Sequence, residues 1–138
     1  MNSLDLAKAI AAHASKAKAI DLKILDLRKI SSFADFFVIA SATSDRQMRA
    51  ICDKAVQELK KEGVRPLSLE GYEVGQWILA DFADVILHVF TEESRAHYDL
   101  EGFWSRAPRV SLQAPKKAVR RAKPPAKKAS KRRKMKKA

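Results

Sequence analysis

The side chains able to do chemistry are few and scattered. Three histidines, His13, His88 and His97, stand far apart, and neither a cysteine nor a second histidine lies at metal-ligand spacing from any of them. Helix-surface positions account for His13 and His97, and a sheet position accounts for His88. Asp81 and Asp84 are the carboxylate pair to weigh for magnesium-dependent phosphoryl transfer, which needs acids converging on one side. On a strand that means i, i+2 spacing, because alternate side chains point to opposite faces. Asp81 and Asp84 are i, i+3, between two apolar runs, and read as turn-forming aspartates with exposed charge. The four glycines include none at a strand-to-helix junction, so no phosphate-cradling loop exists. Ala42-Thr43-Ser44 does occupy such a junction, where helix amides attract anions, but a plain helix cap is the simpler role. Serine, histidine and aspartate form no hydrolase pattern. The chain reads as a non-enzyme with neither cofactor nor metal. Trp77, beside apolar residues and near acids, either fills the core or serves as an interface hot spot.

Local patterns supply the elements that must hold these residues. Asn2 or Ser3 caps a first helix, with Leu6, Ile10, Ala14 and Ala17 on one face. Asp21 to Leu27 reads as a strand, and Ser31-Ser32 opens a loop. Phe36-Phe37-Val38-Ile39-Ala40 is a nearly continuous apolar run, suited to a strand covered on both faces. Ser44 and Gln47 match a capping box, followed by the stripe Met48, Ile51, Cys52, Ala55 and Leu59, with Gly63 closing the helix at C′. Pro66 to Leu69 reads as an edge strand, and Gly71 to Gly75 as a turn. Trp77–Ala80 and Val85–Phe90 flank Asp81–Asp84 as a hairpin. Thr91 caps a last helix with Glu92 and Glu93 in its first turn and Ala96, Leu100, Phe103 and Trp104 as its buried face. Pro108 marks the end of the domain. The fold class is α/β, a mixed sheet with flanking helices in the order α-β-β-α-β-β-β-α.

The formal charge of +12 belongs to one segment. From Ala114 onward there are 13 basic residues and no acid, so residues 1–113 keep 15 of the 28 basic residues against all 16 acids. The domain, residues 1–113, is therefore near neutral at −1, and residues 114–138 form a Lys/Arg/Ala/Pro tail. Large apolar groups are too rare in the tail to offset chain entropy, which predicts disorder in the free protein. Its cations are Lys116, Lys117, Arg120, Arg121, Lys123, Lys127, Lys128, Lys131, Arg132, Arg133, Lys134, Lys136 and Lys137. With no aromatic residue to stack on bases, they suit phosphate contact with ribonucleic acid, a nuclear-localisation patch, or solubility alone. A single cysteine, Cys52, among helix-patterned apolar positions reads as a buried, inert thiol. No apolar run reaches the ~18 residues of a membrane span, nor is there a signal-peptide core. A reducing cytoplasm and no membrane partner are expected.

Several blocks together resemble one family. Ser31-Ser32-Phe33-Ala34-Asp35-Phe36-Phe37-Val38-Ile39-Ala40-Ser41-Ala42-Thr43-Ser44, then Glu70-Gly71 with Trp77, then Asp81-Phe82-Ala83-Asp84-Val85 with His88-Val89-Phe90, then Glu93-Ser94-Arg95, Tyr98, Leu100-Glu101 and Trp104 occur in its order. They resemble the Iojap and ribosomal silencing factor (RsfS) family over about residues 4–105. The resemblance implies a nucleotidyltransferase-like fold without the catalytic motif. It also implies a protein that binds the large ribosomal subunit through large-subunit ribosomal protein fourteen, blocks joining of the small subunit and represses translation. A nucleotidyltransferase-fold enzyme and a large-subunit assembly factor are the alternatives, and homodimerisation off the ribosome is left open. The expected docking residues are Trp77, Ile78, Leu79, Asp81, Asp84, His88, Arg95 and Tyr98, with ribosomal RNA as a second partner through the tail. Ala42 and Ala83 stand where the family usually has glycine, which suggests relaxed turn geometry. The tail has no counterpart in the family blocks.

Overall fold

The computed structural model describes residues 1–111, so every basic residue from Lys116 to Lys137 lies outside the described residues. Helix α1 (Ser3–Lys16) starts where the Asn2 side chain accepts the Asp5 amide at 2.8 Å. Strands β1 (Ile20–Asp26) and β2 (Phe36–Ala42) follow, then helix α2 (Asp45–Lys60). Ser44 caps α2 through the Gln47 amide at 3.1 Å, while the Gln47 side chain returns to the Thr43 amide, one residue earlier than in an ideal capping box. At its other end the Gly63 amide reaches Lys60 and the Val64 amide reaches Leu59, with Gly63 at φ +82°. That is a Schellman closure with glycine at C′, as the sequence predicts.

Strands β3 (Ser68–Glu70), β4 (Trp77–Asp81) and β5 (Val85–Thr91) complete the expected order. The mixed six-stranded sheet runs β3-β4-β5-β2-β1-β6, where β6 is Arg109–Val110. The two central strands, β2 and β5, pair in parallel from Phe36↔Val85 to Ala42↔Thr91, and all neighbouring pairs are antiparallel. Every residue of β2 is buried, as a strand covered on both faces requires. On one face α1 and α2 pack Ile10, Met48, Ile51 and Leu59 over Ile24, Val38, Ile78 and Leu87. On the other, Leu25, Leu27, Phe37, Ile39 and Phe90 lie under Ile30, Leu100 and Trp104. Cys52 is buried in the helix-covered face, where burial and nearby Asp53 push its thiol up to about 12, so it is inert at neutral pH.

Three expectations need correcting. The last helix is broken: Asp99, at φ +44°, divides α3 (Glu92–Tyr98) from a short α4 (Leu100–Phe103). Its buried face is only partly the predicted one: Leu100 and Trp104 pack on the sheet, but Ala96 is exposed and Phe103 is 79% exposed, while Ser94 and Arg95 are buried. Once the break shifts the helical phase, a stripe continued from Ala96 through Phe103 no longer faces one way. The domain also continues past Pro108, because β6 pairs with β1 through Ile24↔Val110 and Leu25↔Arg109. Finally, the turn at Ala83 is not relaxed. Ala83 sits at φ +77°, its amide bound to the Asp81 carboxylate at 2.7 Å, whereas Ala42 lies in extended β2.

A Cβ in the left-handed region is strained, and glycine removes that strain at some cost in chain entropy. Ala83→Gly is therefore expected to stabilise the protein by up to ~1 kcal/mol, read as a rise of a few degrees in thermal midpoint. An unchanged or lower midpoint would contradict the strain assigned to this turn.

Candidate functional site

The β4–β5 hairpin builds the site by strand alternation. Trp77, Leu79 and Asp81 occupy one face of β4, opposite Phe90, His88 and Ile86 of β5. On the outer side, Glu70 and Ser68 of edge strand β3 pair with Leu79 and Asp81. This face is opposite α1 and α2, and its outer strands are incompletely covered: Trp77, Leu79 and Asp81 are all half-buried. Tyr98, at the end of α3, stands 46% exposed with its ring 4.8 Å from that of Trp77. Trp77 also stacks on Phe90 at 5.1 Å. The result is an aromatic and aliphatic patch with carboxylates of Glu70, Asp81 and exposed Asp84 along its margin.

Of the eight residues expected to dock a partner, five meet solvent here: Trp77, Leu79, Asp81, Asp84 and Tyr98. Three do not. Ile78 is fully buried on the helix-covered face, since a strand cannot turn three consecutive side chains the same way. Arg95 is buried and engaged internally. Its Nη1 donates to the Asp21 carbonyl at 2.6 Å and Ser41 Oγ at 2.8 Å, and its Nε donates to Glu101 at 2.8 Å. This guanidinium holds the Glu101 carboxyl below its usual range and ties α3 to β1, β2 and α4. His88 lies beneath the patch at 3% exposure, accepting the Trp77 indole N–H on Nδ1 at 3.0 Å. Burial pushes its pKa to about 3, so the ring is neutral at physiological pH. The sequence reading missed Phe90 and Glu70 as members of the patch. The i, i+2 relation of His88 and Phe90 would have found the first, but only the β3–β4 register finds the second.

A cleft of about 810 Å³ that shares Tyr98 with the patch opens at the carboxyl ends of β2 and β5, beside Thr43 and Gln76. Parallel strand ends of this kind are where α/β folds hold ligands. Here Asp45, Glu92 and Glu93 line the opening, a charge set that repels phosphates. Ser44 is occupied as a cap, and Asp81 lies on the hairpin rather than in this cleft. Among the described residues, no three histidine, cysteine or acidic side chains are grouped to hold a metal ion, and no helix is long and apolar enough to cross a membrane.

With this geometry in hand, the chain can be placed among known proteins. The family model for the ribosomal silencing factor during starvation, RsfS, matches residues 1–137. The chain belongs to the RsfS family. The match takes in the basic segment, which the family blocks gave no reason to expect. The RsfS protein of Bacillus subtilis is 35% identical over 112 residues, covering 81% of this chain and 95% of that protein. The RsfS protein of Halalkalibacterium halodurans is 40% identical over 96 residues, covering 70% and 82%. A crystal structure of a Chromobacterium violaceum protein superposes with a TM-score of 0.74 at 31% identity, covering 76% of this chain and 88% of that one.

The state of His88 makes stability depend on pH. The unfolded chain takes up a proton near the ordinary 6.5, and the native protein refuses it until about 3. The unfolded state thus binds more protons between those values, so stability is complete above the first and falls as pH drops toward the second. The urea midpoint is expected to fall between about pH 7 and pH 5, and His88→Leu to fall less steeply. Parallel curves for the two proteins would show that His88 is not held neutral by burial.

Proposed function

We propose that this chain binds the large ribosomal subunit through large-subunit ribosomal protein fourteen, blocks joining of the small subunit and so represses translation. The observation carrying this reading is the half-buried Trp77–Leu79–Tyr98 patch with its acidic margin, on the least covered part of the sheet of an RsfS-family chain. Patches of this composition suit protein interfaces: a desolvated aromatic centre supplies affinity, and charge at the margin sets encounter rate and partner choice. The acids suit a basic partner surface, as on a ribosomal protein. In this reading His88 supports the patch from below, while Ile78 and Arg95 are buried elsewhere and do not meet the partner.

The tail from Lys116 to Lys137 adds a second, weaker contact in this proposal, with ribosomal RNA phosphates. The domain is near neutral, so little of its own charge attracts the ribosome, and a run of cations without aromatic residues favours phosphate over base readout.

Trp77→Ala is expected to keep the native circular dichroism and lose ~2 kcal/mol or more of large-subunit binding, measured by co-sedimentation in sucrose gradients. Normal co-sedimentation of a folded Trp77→Ala protein would remove the patch from the interface. Protein ending at Gln113 is expected still to block subunit joining, with weaker binding at low salt and a shallower salt dependence than the full chain. Equal affinities and equal slopes would exclude an RNA contact by the tail.

A further inference from the structure

We propose that His88 is a positioning residue for partner docking: its unprotonated Nδ1 accepts the Trp77 indole N–H and fixes how that ring is presented to the partner. The proposal rests on the docking reading above and assigns within it a task to a residue that cannot itself reach a partner. His88 is the cross-strand partner of Leu79, two pairs along the ladder from Trp77↔Phe90 and on the same face. From there its ring lies beside Phe37 at 4.5 Å and beside Trp77 at 5.8 Å. The indole is held on three sides: Phe90 stacks on it, Tyr98 packs against it, and the 3.0 Å bond to His88 sets its rotation. Stacking alone tolerates sliding and flipping of a ring, whereas a directed hydrogen bond selects one orientation.

The other imidazole nitrogen carries the argument. A neutral imidazole has one donor and one acceptor, so an indole donating to Nδ1 puts the proton on Nε2. Nε2 is buried and has no hydrogen-bond partner among the described residues. An unmet buried donor is unfavourable, and the surroundings, including Phe37, Ile39 and Phe90, would accept an apolar side chain without that penalty. The fold alone thus has no use for an imidazole at this position. What it supplies and an apolar residue cannot is the acceptor for Trp77. Because burial keeps the ring uncharged, the acceptor is present throughout the physiological pH range.

The test combines the native protein with two variants. In protein labelled with 15N at histidine and tryptophan, His88 is expected as the Nε2–H tautomer, with slow solvent exchange of the Trp77 indole proton. His88→Leu fills the site without an acceptor. It is expected to fold, to speed exchange of that proton and to bind large subunits about tenfold more weakly. His88→Asn places Oδ1 close to where Nδ1 stood, and it is expected to restore both slow exchange and most of the affinity. An Nδ1–H tautomer in the native protein, or a folded His88→Leu protein with unchanged affinity, would overturn the positioning role. Full binding by Trp77→Ala would instead sink the docking reading itself. Lost binding in Trp77→Ala beside full binding in His88→Leu would remove only the role of His88. If His88→Leu does not fold, the native tautomer and His88→Asn decide: weakened binding by a folded His88→Asn protein with a slow indole proton would reject the proposal.

Discussion

The parallel pairing of β2 with β5 is the constraint on which the remaining structure depends. Two parallel neighbours in the middle of a sheet need a long crossover between them, and both need cover on both faces. The crossover here carries α2 and then the outer strands β3 and β4, so one connection supplies a helix for one face and a hairpin partner for β5. Helix α1 shares that face with α2. The opposite face receives only short cover: the segment around Ile30 and Ala34, α3 and α4, and the turn at Trp104–Ala107. This cover concentrates over β1, β2 and β5. The outer face of β4 is consequently where apolar side chains stay partly wet, so the exposure of the patch follows from topology.

The same asymmetry explains why one tryptophan has two roles. Trp77 packs on Phe90 as a core residue would, yet belongs to a strand next to the sheet edge, where little lies above it. Core packing and partner binding were competing readings of its sequence context. The structure makes them compatible, since Phe90, Tyr98 and His88 hold the ring while the residue stays half-buried rather than covered. Arg95 shows the reverse. It stands among the expected docking residues, but three strong hydrogen bonds compensate its burial and turn it into a brace.

What the sequence made legible was what local rules determine. The Ser44 cap, the Met48–Leu59 stripe and the Gly63 closure are each set by residues within one or two turns, and α2 formed as read. The apolar runs of β2, β4 and β5 were also local. Two of the misplacements depended on longer-range geometry or on one unusual dihedral. Nothing local announces that Asp99 adopts φ +44°, so the phase of the final helix was lost there. Strand β6 is two residues long and exists only because β1 offers it an edge. Ile78 was misassigned by treating a run of docking candidates as a block, although strand alternation alone places it opposite Trp77 and Leu79.

The reach of Arg95 also bears on the order in which the molecule becomes functional. Its bond to the Asp21 carbonyl spans 74 residues, and Tyr98, which walls Trp77, lies just beyond it in sequence. Helices α1 and α2 and the hairpin all precede residue 92 in the chain. The brace between the first strand and the last helices, and the aromatic wall of the patch, must wait for residues 95–101. In a chain made from its N-terminus the aromatic patch is therefore complete only once residues 95–101 are present.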